Sequence, residues 1–148
     1  MNKLKVNYDQ LVREAKSKIK TIPPVMAMDM ALEDDVLVVD VRDIRELTRD
    51  GCIPNSVHAP RGLIESWVDP ESEYYKSEFG DYSRFLIVCA SGRRSALVAA
   101  SLQQMGFGPV FNMDGGFAAW ELLDGDVSTI DQARHKDLFD PEDQLVRL

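Results

Sequence analysis

A chain of 148 residues with 45% hydrophobic and 28% charged residues fits a single globular domain that buries its own core without a metal or disulfide staple. Its formal net charge of -8 excludes a general nucleic-acid surface and docking on anionic lipid, both of which need a basic face. No run of about 18 apolar residues occurs, and the opening stretch lacks the apolar centre of a signal peptide, so a cytoplasmic location with no membrane partner is expected.

The predicted elements begin with an amphipathic helix in the first 20 residues. Asn7 and Gln10 have capping-box spacing, Leu11, Ala15 and Ile19 recur every four residues, and lysines crowd the C-terminal end, where the helix dipole favours cations. Pro23 and Pro24 stop it, and a short helix is expected from Val25 to Leu32. Val36 to Val39 is a continuous β-branched and leucine run, suited to a strand buried on both faces. Asp43 and Glu46 repeat the capping-box spacing and open a short helix that Gly51 closes. Ile53 to Pro60 reads as a turn and a short extended piece. Asp69 as cap, Pro70 at the first helical position and Gly80 at the end predict another helix.

Phe85 to Val88 is a second buried strand. Ser95 to Met105 is apolar nearly all round, a buried helix that Gly106 ends. Pro109 to Met113 is a third strand, and Gly115-Gly116 turns into a last helix. Strands alternating with helices of this length predict parallel βαβ units and an α/β fold. Residues 125–148 are expected to form an extension, either packed on the domain or at an oligomer contact.

In open α/β sheets, ligands bind beyond the carboxyl ends of the strands, and Cys89 follows the second buried strand directly. The chain must then turn into a helix N-terminus, whose unpaired N–H groups and partial positive charge favour a thiolate. Gly92 lets the loop curl so that its amides point at one anion. Arg93 and Arg94 add positive charge. A cysteine ending a buried strand is most often only a small core residue; the glycine and the two arginines are what tilt Cys89 toward function. Cys52 and Cys89 form no CxxC or zinc spacing, and no metal or cofactor is expected.

These residues resemble the rhodanese-like sulfurtransferase family. "VLVVDVRDIREL" with "GCIPNSVHAP" is similar to that family's Asp-Val-Arg and Gly-His-Ile-Pro stretch. "IVCASGRRS" resembles its Cys-x-x-Gly-x-Arg-Ser loop, and "MGFGPVFNMDGGFAAW" its closing strand and Gly-Gly-x-x-x-Trp turn. The likeness covers residues 21–124, with the helix in residues 1–20 and the extension outside it. It implies a central parallel sheet of about five strands with helices on both faces. It also implies that Cys89 is the nucleophile and that Ala90, Ser91, Gly92, Arg93, Arg94 and Ser95 form the cradle. The implied reaction is ping-pong: Cys89 takes the outer sulfur of a small anionic donor such as thiosulfate as a persulfide, and a thiol or protein acceptor, or cyanide in vitro, removes it. Asp40 and Arg42 are expected to fix the neighbouring loop by ion pairing, and Arg61, Gly115 and Gly116 to stand with them behind the loop, with substrate contact by Arg42 or Arg61 as the weaker alternative.

One departure is Cys52, where the family often has histidine; a substituted structural position outweighs a resolving thiol. His58 and His135 are read as structural or exposed, and Trp120 as core. Two rival functions stand beside the sulfurtransferase. One is a non-catalytic binding or regulatory module of the same fold, many of which lack the cysteine. The other is a phosphatase or arsenate reductase. Cysteine phosphatases place five residues between cysteine and arginine, and here four separate Cys89 from Arg94.

Overall fold

Six helices and five strands alternate along residues 2–130, the part of the chain that this computed structural model describes. In chain order they are α1 (Tyr8–Lys18), β1 (Lys20–Ile22), α2 (Pro24–Met30), β2 (Val36–Asp40), α3 (Ile44–Asp50), β3 (Val57–His58), α4 (Ile64–Val68), β4 (Arg84–Val88), α5 (Arg94–Gln104), β5 (Val110–Met113) and α6 (Gly116–Leu122), with a 3-10 turn at Ser77–Gly80. The strands form one parallel sheet in the order β1-β5-β4-β2-β3, so β4 is central and every strand's carboxyl end reaches the same edge.

Because side chains alternate across a strand, β2 and β4 feed two cores. Leu37, Val39, Phe85 and Ile87 face Ile64 and Trp67 of α4 and Val98, Ala99 and Leu102 of α5. Val36, Val38, Leu86 and Val88 face Ala27 of α2 and Phe117 and Trp120 of α6. Helices therefore cover both faces, which is why the two strands read as continuous apolar runs rather than alternating ones. Trp120 is buried, and its Nε1–H donates to the Asp126 carbonyl at 2.8 Å. No helix among the described residues is long and apolar enough to cross a membrane.

Several expectations are corrected. The helix predicted between Asp69 and Gly80 does not form. Asp69 Oδ1 instead accepts from the Glu71 N–H at 2.9 Å, a local turn that competes with helix propagation, and only Ser77–Gly80 coils. The first helix ends at Lys18, and Lys20–Ile22 is an unforeseen edge strand paired with β5, so a boundary at residue 20 would cut a strand. The buried face of α1 is Val12 and Ala15, packed on Ala96 of α5, whereas Leu11 is exposed.

Both capping boxes are present, at Asn7/Gln10 and Asp43/Glu46. Beyond α6 the chain returns to Cys52, whose backbone exchanges both hydrogen bonds with Ser128. His135 and the rest of the extension from residue 131 lie outside the described residues.

Candidate active site

Cys89 follows β4, the central strand, and the chain turns at once into α5. Its side chain is fully buried. The Gly92 N–H donates to Cys89 Sγ at 3.1 Å, and Ser95 Oγ lies 3.2 Å from the same sulfur. Gly92 has φ +89°, and a Cβ there would sit 3.0 Å from the Met113 carbonyl oxygen; a left-handed, crowded position of this kind favours glycine. Arg93, at the N-cap of α5, contributes no side-chain acceptor, so the helix N-terminus is uncapped by side chains. Its dipole is left to favour negative charge at the loop.

The other side of the loop is fixed by α6. The Phe117 N–H donates to the Cys89 carbonyl at 2.8 Å and the Ala118 N–H to the Ala90 carbonyl at 3.1 Å. These bonds require α6 to start against the loop. Gly116 has φ +58°, and its missing Cβ would lie 2.4 Å from the Cys89 carbonyl oxygen. Gly115, at φ +72°, is the left-handed N-cap. The two glycines of the turn thus permit a backbone approach that any side chain would block.

Asp40 and Arg42 form a buried two-pronged ion pair, Arg42 Nε to Oδ1 at 3.0 Å and Nη2 to Oδ2 at 2.7 Å. Arg42 Nη2 also donates to the Gly51 carbonyl at 2.8 Å, and its guanidinium lies 4.3 Å from the centre of the Phe117 ring. The pair therefore braces the same residue, Phe117, whose amide holds the Cys89 carbonyl. His58 Nε2 donates to the Arg42 carbonyl at 2.7 Å, and burial pushes the imidazole below its ordinary value, keeping it neutral. It belongs to this brace.

The two adjacent arginines face different ways. Arg94 forms a bidentate pair with Glu46 of α3, and this pairing holds the Glu46 carboxyl below the usual carboxylate range. Arg93 reaches α1, where it pairs with Asp9 and stacks 4.6 Å from the centre of the Tyr8 ring. The N-terminal helix, packed on α5, thus supplies a carboxylate beside Arg93.

Ala90 is half-buried, and Ser91 is exposed on the outer side of the loop. Arg61 is exposed, and among the described residues no contact joins its side chain to the cysteine loop; its backbone N–H closes on the Val41 carbonyl. Cys52 is buried, its thiol 3.6 Å from the Ser128 carbonyl, and desolvation raises its pKa. No cluster of metal-ligating side chains occurs among the described residues.

Sequence reasoning missed two participants. Asn112 of β5 is fully buried behind the loop and accepts from Ser95 Oγ at 2.6 Å; its one signal was an amide inside an otherwise apolar strand. Glu46 was recognised only as a capping residue.

The family model for rhodanese-like domains matches residues 25–123. The chain is similar to a sulfurtransferase of Allochromatium vinosum, 35% identical over 64% of this chain and 80% of that protein. It is also similar to the thiosulfate sulfurtransferase of Pseudomonas syringae pv. syringae, 33% identical over 70% of this chain and 89% of that one. Among solved structures, a Rhodopseudomonas palustris protein of unknown function, given as a possible tyrosine phosphatase, is 38% identical with a TM-score of 0.83, covering 86% of this chain and 98% of that one.

Proposed function

Because the chain belongs to the rhodanese-like domain family, we propose that it is a sulfurtransferase and that Cys89 carries the transferred sulfur. The observation that carries this reading is the Gly92 N–H donated to Cys89 Sγ at 3.1 Å, at the end of the central strand and the start of an uncapped helix. An anionic sulfur there has a fixed donor and a favourable dipole, with no need for a histidine base.

In the proposed cycle the Cys89 thiolate, its proton lost to solvent, attacks the outer sulfur of a sulfane donor such as thiosulfate. The S–S bond of thiosulfate breaks and sulfite leaves with the bonding pair, giving a Cys89 persulfide. A thiophilic acceptor, cyanide in vitro or a thiol in the cell, then attacks the outer sulfur and releases the Cys89 thiolate. The cytoplasm, a reducing compartment, suits a cycle that needs a free thiol; Cys52 and Cys89 are both unbridged.

The phosphatase reading draws on the Rhodopseudomonas palustris protein. Against it stands the loop length: four residues separate Cys89 from Arg94 where cysteine phosphatases place five, and the Nη1–Nη2 edge of Arg94 is taken by Glu46.

Intact-protein mass spectrometry after exposure to thiosulfate tests the proposal. A gain of one sulfur atom, lost on adding cyanide and absent in Cys89→Ser, is expected. No sulfur uptake from thiosulfate or any other sulfane donor by a folded protein would leave a non-catalytic module. Turnover of p-nitrophenyl phosphate through Cys89 would instead restore the phosphatase.

A further inference from the structure

Asn112 lies mid-strand in β5, between Thr21 of β1 and Ile87 of β4 in register. Its Nδ2 is 3.1 Å from the Gly92 carbonyl oxygen and 3.4 Å from Thr21 Oγ1. A carbonyl can only accept, so the amide's NH2 faces Gly92 and its Oδ1 faces Ser95. Oδ1 in turn can only accept, so Ser95 Oγ, 2.6 Å away, must donate to it. A serine hydroxyl has one hydrogen. With that hydrogen committed, Ser95 presents only lone pairs to Cys89 Sγ at 3.2 Å, and the sulfur must be the donor of that contact.

We propose that Asn112 is a positioning residue that holds the Ser95 hydroxyl in its accepting direction, so that Cys89 rests as a hydrogen-bonded thiol. Because Ser95 keeps its hydrogen on Asn112, ionisation leaves the sulfur with the Gly92 N–H as its hydrogen-bond donor. Asn112 thus sets how much of Cys89 is ready to react. The inference deepens the sulfur-transfer reading and rests on it for its biological use, but the hydrogen-bond logic concerns the thiol alone. The charged groups around the loop are paired and lie outside this triad. Arg94 of α5 is held by Glu46 of α3 and also feels the Cys89 sulfur and, more weakly, the Tyr8 phenol of α1, and Asp40 at the end of β2 is held by Arg42. Arg93 is held by Asp9.

The test is the pH profile of Cys89 alkylation by iodoacetamide, with the labelled cysteine identified by peptide mass spectrometry so that Cys52 does not contribute. It uses no sulfur donor, so failure of this inference and failure of the sulfurtransferase reading are separate results. Ser95→Ala removes the acceptor of the resting S–H. The midpoint is expected to fall by about 0.5–1 pH unit, the scale of one neutral hydrogen bond. Asn112→Ala frees Ser95 to donate to the thiolate and is expected to lower the midpoint similarly. In the Ser95→Ala background, Asn112→Ala should add nothing. An upward or absent shift in Ser95→Ala would overturn the inference, because Ser95 would then already serve the thiolate. An Asn112→Ala shift that persists without Ser95 would also overturn it, as mere loosening of the loop. Should Asn112→Ala fail to fold, the sign of the Ser95→Ala shift decides alone.

Discussion

Arg94 and Glu46 meet in a two-pronged pair, Nη1 to Oε1 at 2.7 Å and Nη2 to Oε2 at 2.9 Å, that ties the start of α5 to the first turn of α3. Glu46 Oε1 also accepts from the Asp43 N–H at 3.3 Å, so one carboxylate closes a helix cap and anchors the cysteine loop. Lysine would keep the charge but lose the fork. Arg94→Lys is expected to cost about 1 kcal/mol of stability, the upper end for a partly exposed pair, and to lower kcat for sulfur transfer more than it raises KM. Thermal denaturation and steady-state kinetics read both; unchanged kcat would remove Arg94 from loop positioning.

The same pair makes a pH prediction. Hydrogen bonding from Arg94 lowers the Glu46 carboxyl below its ordinary 4.5. A depressed folded-state value contributes stability that is fully present above the ordinary value and is lost as pH falls through the folded one. The Tm should therefore drop on acidification below about pH 4.5. In Glu46→Gln the Tm should be lower at pH 7, but its fall on acidification should be shallower. Parallel acid limbs for the two proteins would contradict this.

Gly116 tests the approach of α6 to the loop. At φ +58°, with its Cβ position 2.4 Å from the Cys89 carbonyl oxygen, Gly116→Ala combines left-handed strain with a backbone clash. It should destabilise by about 1–3 kcal/mol or more and reduce sulfur transfer at least tenfold by displacing the carbonyl that Phe117 holds. Wild-type turnover at reduced Tm would separate fold from function.

Cys52 is buried among Leu47 and Ile130, and desolvation, followed by the nearby Asp40 charge, raises its thiol above the ordinary 9.0. It is therefore kept as a thiol, unsuited to resolve a persulfide. Cys52→Ala should lose about 1 kcal/mol and retain most of the activity. The sign at high pH follows from linkage: a raised folded-state value gives stability present below the ordinary value and lost as pH rises through the folded one. The alkaline fall in Tm above about pH 9 should be weaker in Cys52→Ala. Loss of turnover in a folded Cys52→Ala protein would make it a participant.

Asp9 faces Arg93 across the α1–α5 contact and offsets its charge at the loop. Asp9→Asn should free that charge to attract a dianionic donor and lower the KM for thiosulfate about two- to threefold at low salt, in keeping with a solvent-exposed pair. Raising the ionic strength should shrink the difference. A salt-independent change would point to a rearranged α1 instead.

Elements defined by near-neighbour chemistry were legible in the chain. The runs Val36 to Val39 and Phe85 to Val88 announced the two central strands because a strand covered on both faces has no polar side to show. Both capping boxes could be read because the partners lie three residues apart. Cys89 and Gly92 were legible because a thiol before a glycine-bearing turn is informative wherever the helix begins. The short strand Lys20–Ile22 could not be read, since its place depends on β5, some 90 residues away in register. The false helix after Asp69 shows the converse: cap, proline and glycine signals were in place, but a local turn took the backbone.

Sequence by itself determined the cysteine at the end of a buried strand, the alternation of strands and helices and the glycine-bearing loop that follows the thiol, since each is encoded in residue type and short spacing. Tertiary structure decided what each charge and hydroxyl at the loop does. Arg93 and Arg94 are adjacent and chemically identical, yet one is turned to Asp9 and the other to Glu46. Ser95 owes its direction to an amide on another strand. Hydrogen bonds and ion pairs depend on distances of a few ångströms between atoms far apart in the chain, and only the packing of α1, α3 and β5 around the loop brings those atoms together.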